Sequence, residues 1–154
     1  MSLASYLPQH EGYLPKWLLL VSVVSTLNTL QAYANPTYTG QLYAATPVTP
    51  LSSRKFGTWT FLSSVIRLYA AYYITDQHVY DLAIWTYGIA LTHFVSEWLV
   101  FGSARAKGRF LSPLVVASAS FTWMMTQRGW PWRLERGVWR VDDFSAARAI
   151  AHFL

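Results

Sequence analysis

Two stretches of this chain, Trp17 to Ser53 and Phe110 to Gln127, contain no Asp, Glu, Lys, Arg or His. The apolar runs in and between them have the lengths of membrane-crossing helices, about 20 residues each. Helices that face water carry charge on their outer side, and these do not. Away from the ends of the apolar segments lie three strongly polar ionisable side chains, Arg67, His93 and Glu97. A charge at the centre of a bilayer costs on the order of 3 kcal/mol on insertion scales, so each of the three needs a partner, a cavity or a function.

The rest of the composition fits the same reading. Charged residues make up 12% of the 154 and hydrophobic ones 53%, against roughly 25% charged in an ordinary soluble domain. The expectation is an all-α membrane protein, a four-transmembrane-helix bundle with an interfacial C-terminal segment. Spans are expected at about 17–35, 55–75, 79–102 and 110–127, so that residues 1–128 form a single four-span membrane domain and 129–154 a Trp- and Arg-rich interfacial tail. Four such spans leave too little chain for a second core. Pro15-Lys16 opens the first span and Asn35-Pro36 closes it. Lys16, a short apolar run and Ala32-Tyr33-Ala34 also resemble a signal peptide, but Glu11, Asn28 and Gln31 favour a retained helix. Residues 35–54, rich in Thr, Pro, Gly and Tyr, read as a polar loop.

The net charge of +5 comes from basic residues at the ends of apolar segments, such as Lys16, Arg54, Lys55, Arg105, Lys107, Arg109 and Arg128. Flanking charge of this kind belongs to topology and anionic head groups; no basic stripe with interleaved aromatics suggests nucleic acid. Its distribution leans only slightly to both termini in the cytosol. Aromatics near span ends, among them Trp17, Tyr33, Trp59, Tyr80, Trp85 and Trp98, suit the head-group region. The chain has no cysteine, which excludes disulfides and CxxC metal sites.

Polar and small residues recur at helical spacing: Ser22, Ser25, Asn28, Gln31 and Asn35; Thr60, Ser63, Ser64, Arg67 and Ala71; Thr86, Ala90, His93 and Glu97; and Ala117 to Ser120 with Thr122. Such stripes mark faces that pack against other helices. At about 1.5 Å per residue, Arg67 and Glu97 differ by about 10 Å in depth, with His93 and Asn28 between them. The expected arrangement is one layered intramembrane polar network of Asn28, Gln31, Ser63, Ser64, Arg67, His93 and Glu97, structural or in contact with a partner or sterol. No catalytic, cofactor-binding or metal residues are assigned. His93 and Glu97 share a helix face, but no second His or carboxylate stands at ligand spacing, and Ser63 and Ser64 lack the Gly-rich elbow of a nucleophile.

The segments Trp17-Leu18 through Asn28-Thr29-Leu30-Gln31, Phe56-Gly57-Thr58-Trp59 through Ile66-Arg67, Trp85-Thr86 through Glu97-Trp98, Phe101-Gly102-Ser103, and Pro113-Leu114 through Ser118 closely resemble the ergosterol biosynthetic protein 28 family. The resemblance spans about Trp17 to Thr126, in order and with similar spacing. It implies a multi-pass protein of the endoplasmic reticulum membrane that acts as a non-enzymatic scaffold. The implied partners are the sterol C-4 demethylation enzymes, namely the C-4 methyl oxidase, the decarboxylating 3β-hydroxysteroid dehydrogenase and the 3-keto reductase, together with membrane lipid, a sterol, or further copies of the chain. The alternative function is a small sterol-binding or sterol-isomerising enzyme using His93 and Glu97 as acid and base.

Overall fold

The structure, a computed structural model, describes residues 7–10, 12–105 and 108–128. The interfacial tail expected at 129–154 lies outside the described residues. Among the described residues the chain is all-helical, with no strand. Helix α1 runs Leu14–Ala34, α2 Thr37–Leu42, α3 Pro50–Tyr72, α4 Gln77–Leu99 and α5 Leu111–Thr126, the last preceded by a 3-10 turn at Gly108–Phe110.

Local chemistry sets these boundaries. Asn35 adopts an extended backbone and ends α1, as the residue before a proline tends to do. Its side-chain oxygen accepts from the amide and hydroxyl of Thr37, at 2.8 and 2.6 Å, and so turns the chain into α2. The polar-loop reading of residues 35–54 does not contain that helix, and α3 also begins five residues before position 55. The cause is a capping box in which the Thr49 side chain accepts from the Ser52 amide and Ser52 reciprocates to the Thr49 amide, with Pro50 in the first turn. Helix α4 is capped by Asp76, whose carboxylate accepts from the amides of His78 and Val79 at 2.8 and 3.1 Å.

The four long helices run alternately up and down. Along the α1–α3 seam, Ser22 donates to the Ser64 carbonyl (2.8 Å), Thr29 to the Gly57 carbonyl (3.2 Å) and Ser53 to the Ala32 carbonyl (2.7 Å), so rising numbers on one helix meet falling numbers on the other. Gly57 permits that approach: a Cβ there would sit 2.9 Å from the Tyr33 ring. Apolar side chains pack at both ends of the bundle. One cluster contains Leu14, Leu18, Ala70, Ile74, Tyr80 and Met124; the other contains Ala32, Leu42, Phe56, Phe94, Phe110 and Ala117. Tyr80, expected in the head-group belt, is fully buried instead and donates to the Met124 carbonyl at 2.8 Å. Its phenol finds an acceptor where α5 ends, which removes the usual cost of burying a hydroxyl.

Only α1, of the helices described, is both long and apolar enough to qualify as a membrane span on length and composition. Helix α5 is 16 residues long, and α3 and α4 carry more polar side chains. The outer surface is nonetheless apolar: Leu27, Leu30, Leu62, Tyr69, Trp85, Ile89 and Val115 are all exposed.

Candidate functional site: the cavity at Arg67

The alternation of the helices leaves a partly open cavity of about 190 Å³ between α1, α3, α4 and α5. Its walls include Val24, Phe56, Trp59, Ala90, Phe94 and Val116, and its polar lining comes from Ser25, Asn28, Ser63, Arg67 and Tyr87.

Arg67 is 6% exposed. Its Nε donates to Thr86 Oγ1 at 3.0 Å, Nη2 reaches the Thr86 carbonyl at 3.4 Å, and Nη1 reaches Ser25 Oγ at 3.4 Å. The guanidinium carbon lies 4.1 Å from the centroid of the Tyr87 ring, close enough for a cation–π attraction. Thr86 can accept because its own hydroxyl proton goes to the Ala83 carbonyl at 2.8 Å. Thus α1 and α4 both bond to a side chain of α3.

His93 and Glu97 belong to a different cluster. Tyr43, just past α2, lies with its hydroxyl 2.6 Å from His93 Nε2. His93 Nδ1 is 4.0 Å from Glu97, and the Glu97 carboxylate accepts from the Ser103 hydroxyl. Burial, reinforced by the Glu97 carboxylate, raises the Tyr43 pKa well above the ordinary tyrosine value. The neutral Tyr43 hydroxyl can donate to His93 Nε2 in the tautomer whose ring proton sits on Nδ1, the nitrogen nearer Glu97. These three side chains line a second cavity that also includes Thr46, Ser52 and Trp59. Trp59 stands in the wall of both cavities, with its ring 5.5 Å from that of His93.

The polar residues fall into two clusters rather than one: among the described residues no hydrogen bond joins Arg67 to His93 or Glu97, and Trp59 lines the cavities of both. Ser64 bonds the Phe61 carbonyl and receives Thr26 at 3.2 Å, and Ser63 bonds the Trp59 carbonyl, so both stay within the α1–α3 region. Asn28 lines the Arg67 cavity. Gln31 is exposed, because α1 turns Ser22, Ser25, Thr29 and Ala32 inward and leaves position 31 off that face. The partners not anticipated from sequence are Tyr43, Tyr87 and Ser103. Tyr87 follows Thr86 of the inward stripe in mid-helix, a usable signal; Tyr43 and Ser103 reach the site from connecting segments, and helical spacing carries no information on them. Among the described residues no group of three or more His, Cys, Asp or Glu could hold a metal ion.

Comparison with known proteins supplies the rest. The family model described as "Erg28 like protein" matches residues 14–122. Ergosterol biosynthetic protein 28 of Saccharomyces cerevisiae is 46% identical over 121 residues, covering 77% of this chain and 82% of that protein. The Candida albicans protein of the same name is 45% identical over 119 residues, covering 76% and 86%. The human ergosterol biosynthetic protein 28 homolog is 42% identical over 115 residues, covering 73% and 82%. No solved structure matches the chain. The family match takes in both clusters and all four long helices but for the last turn of α5, and the chain belongs to the Erg28 family.

Proposed function

We propose that the chain is a non-enzymatic, four-span scaffold of the endoplasmic reticulum membrane that holds together the sterol C-4 demethylation enzymes: the C-4 methyl oxidase, the decarboxylating 3β-hydroxysteroid dehydrogenase and the 3-keto reductase. Its place in sterol biosynthesis follows from relatives named for ergosterol biosynthesis. The observation that carries the scaffold reading is a largely apolar outer face around an interior where buried polar side chains bond one helix to another. Ser22, Ser64, Thr86 and part of the Arg67 guanidinium make bonds between or within helices, while Leu30, Leu62, Trp85 and Ile89 face outward. Such an outer face suits lipid and the spans of other membrane proteins. In α3 the polar side chains that lower its average hydropathy include Ser53, Thr60, Ser63, Ser64 and Arg67, all buried, so the packed helix hides them from lipid.

Partner capture then runs through the helices and their connecting loops. Chains truncated beyond Arg140 should recover the same enzymes from detergent-solubilised membranes as the full chain does, identified by mass spectrometry of the co-purified proteins. A truncated chain that inserts normally and recovers none would move the interface into the tail.

The Tyr43–His93–Glu97 arrangement favours a second reading, a sterol isomerase that moves a proton through His93 and Glu97 in the second cavity. It requires turnover by the purified protein alone. A sterol conversion that survives purification and disappears in Glu97→Gln, with partner recovery unchanged, would replace the scaffold by the enzyme.

A further inference from the structure

Among the described residues Arg67 is a buried cation without a counter-ion. Guanidinium stays protonated in proteins, and all three of its hydrogen-bond acceptors are neutral: the Ser25 hydroxyl, the Thr86 hydroxyl and the Thr86 carbonyl. The two ion pairs among the described residues, His93–Glu97 and Arg128–Asp81, lie elsewhere. Of the five guanidinium N–H groups, three are engaged, which leaves one on each terminal nitrogen. Arg67 belongs to the wall of a partly open cavity otherwise lined largely by Val24, Phe56, Trp59, Phe94 and Val116. A fixed positive charge with donors to spare, set in an apolar wall, selects a ligand of opposite charge and apolar body.

We propose that this cavity binds an apolar molecule bearing a single carboxylate, with the carboxylate on Arg67 and the hydrocarbon against the aromatic walls. The two planar groups suit each other, since a carboxylate accepts two parallel N–H bonds from one guanidinium. One cation without a second beside it matches one negative charge better than the two of a phosphomonoester. A long-chain fatty acid and a sterol carrying a carboxylate share this chemistry. The site stands apart from partner capture, and the binding test uses the chain alone, so that its failure would leave the scaffold reading untouched.

The full chain, purified in non-ionic detergent, is equilibrated with radiolabelled oleate or with cholenoic acid, and with the neutral counterparts oleyl alcohol and cholesterol. About one equivalent of acid per chain should be retained, with at least a tenfold preference over the corresponding alcohol. Retention of oleate alone identifies a fatty-acid site and retention of cholenoic acid a sterol-acid site; either supports the proposal. Arg67→Gln should lose at least tenfold in acid binding and little in alcohol binding. Val24→Trp, which keeps the arginine but fills the cavity from a position 47% exposed, should lose acid binding while gel filtration and circular dichroism stay unchanged; it decides the matter if Arg67→Gln does not fold. Equal binding of acid and alcohol, undiminished acid binding in a folded Arg67→Gln, or undiminished binding in Val24→Trp would each overturn the proposal.

Discussion

At the scale of single residues, Tyr43 shows how a connecting segment acquires a fixed chemical role. Its phenol pKa lies above the ordinary 10.0 because burial disfavours the phenolate, an effect that the nearby Glu97 carboxylate strengthens. Below pH 10 the folded and unfolded chains hold the same proton, and the stability is complete. Above pH 10 the unfolded chain releases it while the folded one keeps it, so stability falls as pH rises toward the folded value. Unfolding of the detergent-solubilised protein between pH 9 and about pH 11.5 should therefore show a downward slope that is shallower in Tyr43→Phe. Identical slopes would mean that Tyr43 is solvated rather than bonded to His93.

At the scale of elements, α1 is held at its two ends by different means. Toward its C-terminus it lies on α3 through Gly57 and the Thr29 and Ser53 hydrogen bonds. Near its N-terminus Trp17, half-buried, donates from Nε1 to Ser120 Oγ on α5 at 2.9 Å and packs its ring 6.5 Å from that of Trp123. That single bond joins helices 103 residues apart in the chain and closes the bundle. Trp17→Phe and Ser120→Ala should each destabilise the protein, and in combination should show a coupling of about 0.5–1.5 kcal/mol, the net value of one such bond. Losses that simply add in a double-mutant cycle would remove the bond from the account of how α1 and α5 meet.

At the scale of the whole molecule, four alternating helices bring Leu14 of α1 and Thr126 of α5 to the same end of the bundle, with Tyr80 and Met124 in contact there. If the helices cross a membrane as proposed, both termini face one compartment. Glycosylation acceptors fused to the two ends should then be modified together or not at all. Modification at one end alone would defeat the four-span arrangement and leave an odd number of crossings.

Helix content and inward faces were readable from sequence because they depend on spacing alone. Thr60, Ser63, Ser64, Arg67 and Ala71 recur at helical intervals, and all five are buried. The family resemblance was likewise carried by ordered motifs, and the match over residues 14–122 agrees with it. Helix phase misled at Gln31, where a polar residue close to the stripe lies on the exposed side, since spacing specifies a face only to within the width of that face. Capping at Thr49 and the Asn35–Thr37 turn are local, yet among so many Thr, Pro and Asn residues only the packed structure chose which of them would end or start a helix. Depth along the bundle was also estimable, but which side chains meet at a given depth was not. That depended on Trp59, which lines the cavities of both Arg67 and His93, and on Tyr43, which reaches His93 from a connecting segment. Periodicity along one helix is a one-dimensional property of the chain; the pairing of side chains between helices depends on rotation, offset and volume, which are decided only when the helices pack.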